Sequence, residues 1–262
     1  MIRGFFKFLC ILLVLALLAV GYARFIEPNI ITEKTVKVPG SSGFGPMRIA
    51  IFSDLHVSEH MTPAELTEIV SRINAMEPDV VIFLGDLFDD YSRYGGDPAE
   101  ISEVLSRVEG RKYAVYGNHD YGGGAKKVFR TTMEEAGFEI LINRKVDLGG
   151  GVTLTGADDL FYGTPDVSGF ETDGFDILAV HEPDFFREGH DFELQISGHT
   201  HGAQIRIPFF EKYILPKGGE DYISGCYEEG DQTVFVTRGL GTSILPVRFL
   251  AWPEIVLLEV GP

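Results

Sequence analysis

Cysteine is nearly missing from this sequence. Cys10 and Cys226 are the two among 262 residues, and Cys10 lies in an apolar N-terminal run, which leaves one for the folded part. That rules out an intrachain disulfide framework and a cysteine-based zinc ribbon. Cys226, in "YISGCY", is expected to be a small buried hydrophobe. Positive charge is also scarce, with 22 Lys and Arg against 39 Asp and Glu, a net charge of −17. No basic cluster occurs, which argues against a nucleic-acid partner. Internal repeats and low-complexity tracts are missing too, and nothing calls for an obligatory protein partner. Hydrophobic residues make up 45% of the chain, an ordinary share for a globular protein with a real core.

The first residues differ in kind from the rest. "MIRGFFKFLCILLVLALLAVGYA" places Arg3 and Lys7 before an uncharged run from Phe8 to Ala23. That run is slightly shorter than the ~20 residues that span a bilayer, and Phe5, Phe6 and a snorkelling Lys7 extend it. Residues 1–26 are therefore expected to be a transmembrane anchor. A cleaved signal peptide is the alternative, since Ala19, Gly21 and Ala23 permit cleavage. The preceding cations place the C-terminal domain outside the cytoplasm, and Arg24 just after the run counts against that orientation. A cytoplasmic-facing domain stays open. Residues 27–46, ending in "PGSSGFGP", read as a linker, and residues 47–262 as one catalytic domain.

From Met47 the pattern is regular. "MRIAIF", "DVVIFL", "KYAVY" and "FEILI" read as buried strands. They alternate with helices over "TPAELTEIVSRINAM", "DPAEISEVLSRVEG" and "GAKKVFRTTMEEAG". Thr62, Pro63 and Glu65 form a helix-start signature, Asp97, Pro98 and Glu100 repeat it, and Gly110 and Gly137 mark stops. Such alternation implies βαβ units and a largely parallel sheet. "VTLTG", "DILAV", "ELQIS", "TVFVT" and "EIVLLEV" are strands with few helices between them, and suggest a second sheet packed on the first.

Polar residues gather just after the strands. "SDLH" offers Asp54 and His56; "GDLFDD" offers Asp86; "GNHD" offers Asn118, His119 and Asp120; "HEPD" offers His181; "GHTH" offers His199 and His201. Each alone reads equally well as a cap or turn. Together they hold five of the seven histidines, leaving His60 and His190 as surface residues. In open α/β sheets ligands bind at the carboxyl ends of strands. His199 and His201 share a face in an extended segment and can reach different partners.

This ordered set resembles the calcineurin-like metallophosphoesterase superfamily from Met47 to the C-terminus. "HEPD", "GHTHGAQ", "TRGLGTS" and "PVRFLAWPEI" resemble its membrane-anchored bacterial phosphodiesterase branch, with Ala203 where a glycine often stands. The resemblance implies an α/β four-layer sandwich of two mixed β-sheets flanked by helices. It also implies two divalent metals per chain: Asp54, His56 and His201 on one, Asn118, His181 and His199 on the other, and Asp86 bridging. Mixed carboxylate, imidazole and amide ligands suit Mn, Fe or Zn rather than Ca, with Mn placed first. Two such ions about 3.5–4 Å apart clamp the attacking and leaving oxygens of an in-line displacement. The family role for His119 is to stabilise the transition state or protonate the leaving oxygen, and Asp120 is expected to orient it. Arg238 and Arg248 are candidates for a phosphate oxygen, and equally for a surface pair. In "IRIPFFEKYILPKGG", Phe209, Phe210, Ile214 and Leu215 beside Arg206, Lys212 and Lys217 either form a lipid-facing rim or bury themselves in a loop. The expected function is hydrolysis of a phosphodiester or pyrophosphate bond in a phosphate-ester substrate, lipid-linked and membrane-associated. UDP-2,3-diacylglucosamine pyrophosphatases of lipid A synthesis are similar; their cytoplasmic substrate makes that activity the alternative. A non-catalytic metal-binding scaffold is the distant rival.

Overall fold

The computed structural model describes residues 2–207 and 211–262. A helix, α1 (Ile2–Phe25), leads into strand β1 (Thr32–Lys37). There follow β2 (Met47–Phe52), α2 (Pro63–Ala75), β3 (Val80–Phe83), α3 (Pro98–Ser106), β4 (Arg111–Ala114), α4 (Asn118–Tyr121), α5 (Ala125–Glu135) and β5 (Glu139–Ile140). Then come β6 (Arg144–Gly149), β7 (Val152–Gly156), β8 (Phe175–Ala179), β9 (Leu194–Ser197), β10 (Gly225–Glu229), β11 (Gln232–Val236) and β12 (Glu254–Val260).

Two mixed six-stranded sheets face each other, ordered β1-β12-β2-β3-β4-β5 and β10-β11-β9-β8-β7-β6. β2 is buried on both sides, which is why its sequence is a continuous apolar run. Ala50 and Phe52 meet Leu66 and Ile69 of α2, Ile101 of α3 and Phe129 of α5. Ile49 and Ile51 meet Leu154, Ile177, Ile196 and Phe235 of the second sheet. Burying a side chain of this size contributes about 1.5–3 kcal/mol, so this inter-sheet layer fixes the height at which both sheets end. The outer face of the second sheet is covered by the 3₁₀ helix Pro183–Glu188 and loops, not by a long helix. Of the helix signatures, Thr62 and Glu65 cap α2 reciprocally as read, whereas Asp97 caps α3 by accepting from Ala99 N without a reciprocal bond from Glu100, and α3 stops at Ser106, before Gly110.

Three expectations are corrected. "EIVLLEV" belongs to the first sheet, where β12 runs antiparallel to β2. Its apolar pattern could not distinguish the sheets, because central strands of both are buried on both faces. Residues 27–46 are not a plain linker: β1 pairs in parallel with β12, and Glu27 is fully buried, accepting from Ala251 N at 2.6 Å. Cys226 is exposed; it lies on the edge strand β10, whose one face is open.

The helix α1 is long and apolar enough to cross a membrane, with a mean hydropathy of 2.5 over its best window and none of that window buried. Its foot is fastened to the domain: Arg248 N donates to Ala23 O at 2.9 Å, and Trp252 Nε1 to the Tyr22 hydroxyl at 3.2 Å.

Candidate metal centre

The strand ends of both sheets meet on one rim. Parallel pairing continues beyond the strands: Asp54 N donates to Gly85 O (3.0 Å), His56 N to Asp86 O (3.2 Å) and Gly198 N to His181 O (3.0 Å). His199 N crosses between sheets to Asp54 Oδ1 at 3.1 Å. The turns needed to aim the side chains are tight. Asp54, His56, Asp86, His199 and His201 all have positive φ, between 45° and 72°, a strained region for residues with a Cβ. Glycine is required at two contacts: a Cβ on Gly117 would collide with Asp86 Oδ1 and His181 Cε1, and one on Gly198 with Ser53 and Asp54.

Three groups of potential ligand atoms result, each within 4.8 Å of one another: Asp54–His56–His201, His56–Asp86–His119 and Asp86–His181–His199. Asp86 stands between the sets. Its Oδ2 is 3.5 Å from His56 Nε2 and 3.1 Å from His181 Nε2. His56 and His201 bring their Nε2 atoms to 3.0 Å. Asn118 Oδ1 has no hydrogen-bond partner among the described residues, and His181 Nε2 makes no aligned hydrogen bond despite its 3.1 Å approach to Asp86 Oδ2. An orphaned buried donor or acceptor costs about 1–3 kcal/mol, and a cation is the partner both are suited to take. The donor set of carboxylate, imidazole and amide therefore fits a divalent metal.

Charge follows the same plan. Burial opposes ionisation of Asp86, but His181 and His119 outweigh it and hold its carboxyl well below the usual range. Burial likewise opposes protonation of His181, yet Asp86 and Asp54 push it well above the imidazole range. The pair is built for positive charge, whether proton or metal. His199 is pulled down to about 3 by burial and by His181, and His201 is pulled well down by burial, His56 and Arg248. Both stay neutral, as ligands must.

His119, half-buried, borders a pocket of about 250 Å³ with Asp86, Asn118, His199, His201, Ile214, Ile244 and Leu245. Its Nδ1 donates to the Asp89 carbonyl, which leaves Nε2 free for a substrate. Asp120 does not orient it. The Asp120 carboxylate accepts from Asp86 N (2.8 Å), Leu87 N (2.9 Å) and Gly117 N (2.9 Å). It braces the loops instead.

Arg248 is corrected as a substrate residue. It is fully buried, and its guanidinium donates to Gly241 O, Ala251 O and Arg238 O while facing His201 Nδ1 at 3.3 Å. Burial lowers it to about 10, so it stays charged beside buried Asp54, Glu27 and Glu254. Arg238 lies outside the pocket lining, with Nη1 3.9 Å from Glu254. His60 is exposed as expected. His190 is not a free surface group: it packs on Phe186 and Phe192 and bonds Gln195 Oε1 at 3.0 Å. Phe209 and Phe210 lie outside the described residues, as does the side chain of Lys212. Sequence reasoning missed Asp89, whose Oδ1 is 3.3 Å from His56 Nδ1, although "GDLFDD" contains it. It also missed Gln204, whose amide ties Ser243 and Leu245 to the "GHTHGAQ" turn.

Residues 47–203 match the family described as calcineurin-like phosphoesterase. The chain belongs to that family. It is a metal-dependent phosphoric ester hydrolase of α/β class. It is 38% identical over 257 residues to an uncharacterized metallophosphoesterase, YkuE, of Bacillus subtilis (strain 168), covering 92% of this chain and 89% of that one. It is 27% identical to the phosphodiesterase YaeI of Escherichia coli (strain K12), covering 92% of each. A transmembrane protein with metallophosphoesterase domain of Danio rerio is 28% identical, over 93% of this chain and 60% of that protein.

Proposed function

We propose that this protein is a membrane-tethered phosphodiesterase with two divalent ions, which cleaves a phosphodiester or pyrophosphate bond of a membrane-associated substrate. The observation that carries the reading is Asp86, one carboxylate within reach of both histidine sets, beside the buried Asn118 Oδ1, which has no hydrogen-bond partner among the described residues. Asp54, His56 and His201 would hold one ion; Asn118, His181 and His199 the other; Asp86 both. When bound, such ions supply Lewis acidity and a nucleophile at neutral pH. The chain's own part is positioning and proton transfer. Water adds to phosphorus in line with the breaking P–O bond, His119 Nε2 gives its proton to the departing oxygen, and the proton the water releases restores His119. Burial lowers the proton affinity of His119, but Asp86 and the Asp89 carbonyl raise it overall.

The membrane assignment is supported by the exposed apolar helix α1 and by the name of the Danio rerio relative. Manganese is the preferred ion, with iron and zinc next. The test uses the full chain in detergent, stripped of metal and reloaded with each ion in turn. Turnover of a chromogenic phosphodiester with two ions bound per chain is the expected result. Two ions bound without cleavage of any diester would leave the metal-binding scaffold reading, and failure to bind metal would overturn both. Alkaline washing of membranes should leave the chain attached, and external protease on spheroplasts should digest the domain. Protection would favour the cytoplasmic pyrophosphatase alternative.

A further inference from the structure

Residues 242–252 touch both the metal centre and the foot of α1. At one end Gly241 N donates to Asp54 O (2.6 Å), and Gln204 Nε2 holds Ser243 O and Leu245 O, each at 3.0 Å. At the other end Arg248 N bonds Ala23 O and Trp252 Nε1 bonds the Tyr22 hydroxyl. Between these pins the ribbon displays apolar side chains. Ile244 is 93% exposed, Leu245 54%, Leu250 53% and Trp252 44%, beside Phe25 at 70%. Ile244 and Leu250 also have φ of +63° and +58°. A β-branched residue there is a genuine outlier, and strain of this kind is retained where it serves a function. Ile244 and Leu245 line the 250 Å³ pocket over the histidines and also a neighbouring cavity of about 780 Å³.

We propose that residues 242–252 form a membrane-seating ribbon. It dips into the lipid surface from which α1 emerges and holds the mouth of the metal centre at that surface, where a lipid phosphodiester headgroup is presented. The occupant is a bilayer because the ribbon is hydrogen-bonded to the last turn of a membrane-length helix whose apolar run is exposed, so the lipid surface passes beside it. The Tyr22–Trp252 pair is of the kind enriched at membrane interfaces. Charge does not provide the attraction, since Asp and Glu outnumber Lys and Arg by 39 to 22. Seating should therefore persist on zwitterionic lipid and in high salt. The substrate half of this inference rests on the phosphodiesterase reading, and the seating half on the membrane reading of α1 alone.

Trp252 is the one tryptophan of the chain, so its emission reports on the ribbon without labelling. The full chain is reconstituted in phosphatidylcholine vesicles with and without brominated acyl chains. A second protein, Trp252→Phe with Ile244→Trp, moves the probe to the loop over the pocket. Brominated lipid should quench both by roughly half or more, and aqueous iodide should quench neither, as expected for rings seated in the acyl boundary. Iodide quenching of the Ile244→Trp probe without bromine quenching would overturn the proposal, leaving only the helix foot in lipid. Shielding from both quenchers would also overturn it, in favour of a second protein copy on this face. Leu250→Asn suits a left-handed backbone and is expected to fold. It should slow turnover of a diester embedded in vesicles by about 10-fold and leave a soluble diester within about two-fold. Equal loss on both substrates would remove the ribbon's role in presenting lipid. If neither diester is cleaved while bromine still quenches, the seating holds and the phosphodiesterase reading fails.

Discussion

The two histidine sets are held in different ways. His181 Nδ1 donates to Leu84 O at 2.6 Å and His199 Nε2 to Lys217 O at 2.9 Å. Backbone carbonyls orient those rings and fix their tautomers without any charge. His56 leans instead on the Asp89 carboxylate, and His201 on the Arg248 guanidinium, each at 3.3 Å. Arg248 in turn sits among Asp54, Glu27 and Glu254, all buried. Backbone strain is weighted the same way. Asp54, His56 and His201 are all in the left-handed region, whereas His199 is there in the second set and His181 and Asn118 are not. The second set is thus an autonomous product of the sheet. The first depends on a buried charge network that reaches, through Glu27, to the foot of α1. Partners behind metal ligands typically change affinity by about 10–100-fold when lost, so the first set offers more places to be disturbed from outside.

The largest effect should come from the residue the two sets share. Asp86→Asn should disturb both ions and abolish turnover, whereas His56→Ala should remove mainly one ion and His181→Ala mainly the other. Metal analysis of the purified variants checks this. Two ions and normal activity in Asp86→Asn would show that the sets do not share a bridge. His119→Gln tests a residue assigned to neither set. It should keep most of the metal and lose at least about 10²-fold in turnover. Loss of metal would make His119 a ligand, which its place within 4.8 Å of His56 and Asp86 keeps in view.

Arg248→Met separates the sets by stability. Removing the guanidinium strands three carbonyls and leaves buried carboxylates without their counter-charge, a change that costs about 3–5 kcal/mol. Thermal melting of the metal-loaded variant should register it, and the ion on the Asp54–His56–His201 side should be the one that weakens. Uniform weakening of both ions would deny the division drawn above.

The candidate ligands could be picked out because each follows an apolar run of strand length, and strand ends in parallel sheets share a rim. Helix starts were legible because Thr62–Pro63–Glu65 and Asp97–Pro98–Glu100 are local chemistry. Tertiary events were not. β12 joins the first sheet by pairing residues some two hundred positions from its parallel neighbour β1, and no local pattern encodes that register. Arg248 lies in "PVRF", a stretch that names a cation but not its burial. Asp120 was misread for a related reason: adjacency to His119 suggested a contact, but the short helix α4 turns its carboxylate back onto three backbone amides.

The smallest effect concerns Ala203, two residues past His201, buried and held at φ +67°. An ordinary buried Ala→Gly change loses a methyl group, about 0.8 kcal/mol, and adds roughly 0.5–1 kcal/mol of backbone entropy cost. Ala114→Gly, at the buried end of β4 in the first sheet, should show that full penalty. At Ala203 the left-handed backbone already costs an alanine about 1–2 kcal/mol, which glycine does not incur. The two contributions nearly cancel, so Ala203→Gly should be close to neutral. For a domain of this size 1 kcal/mol shifts Tm by about 2–4 °C, so the two variants should differ by a few degrees when melted under the same metal loading. Equal losses in Tm would mean that the turn after His201 carries no strain, and that the unequal backbone cost assigned to the two histidine sets does not exist at this position.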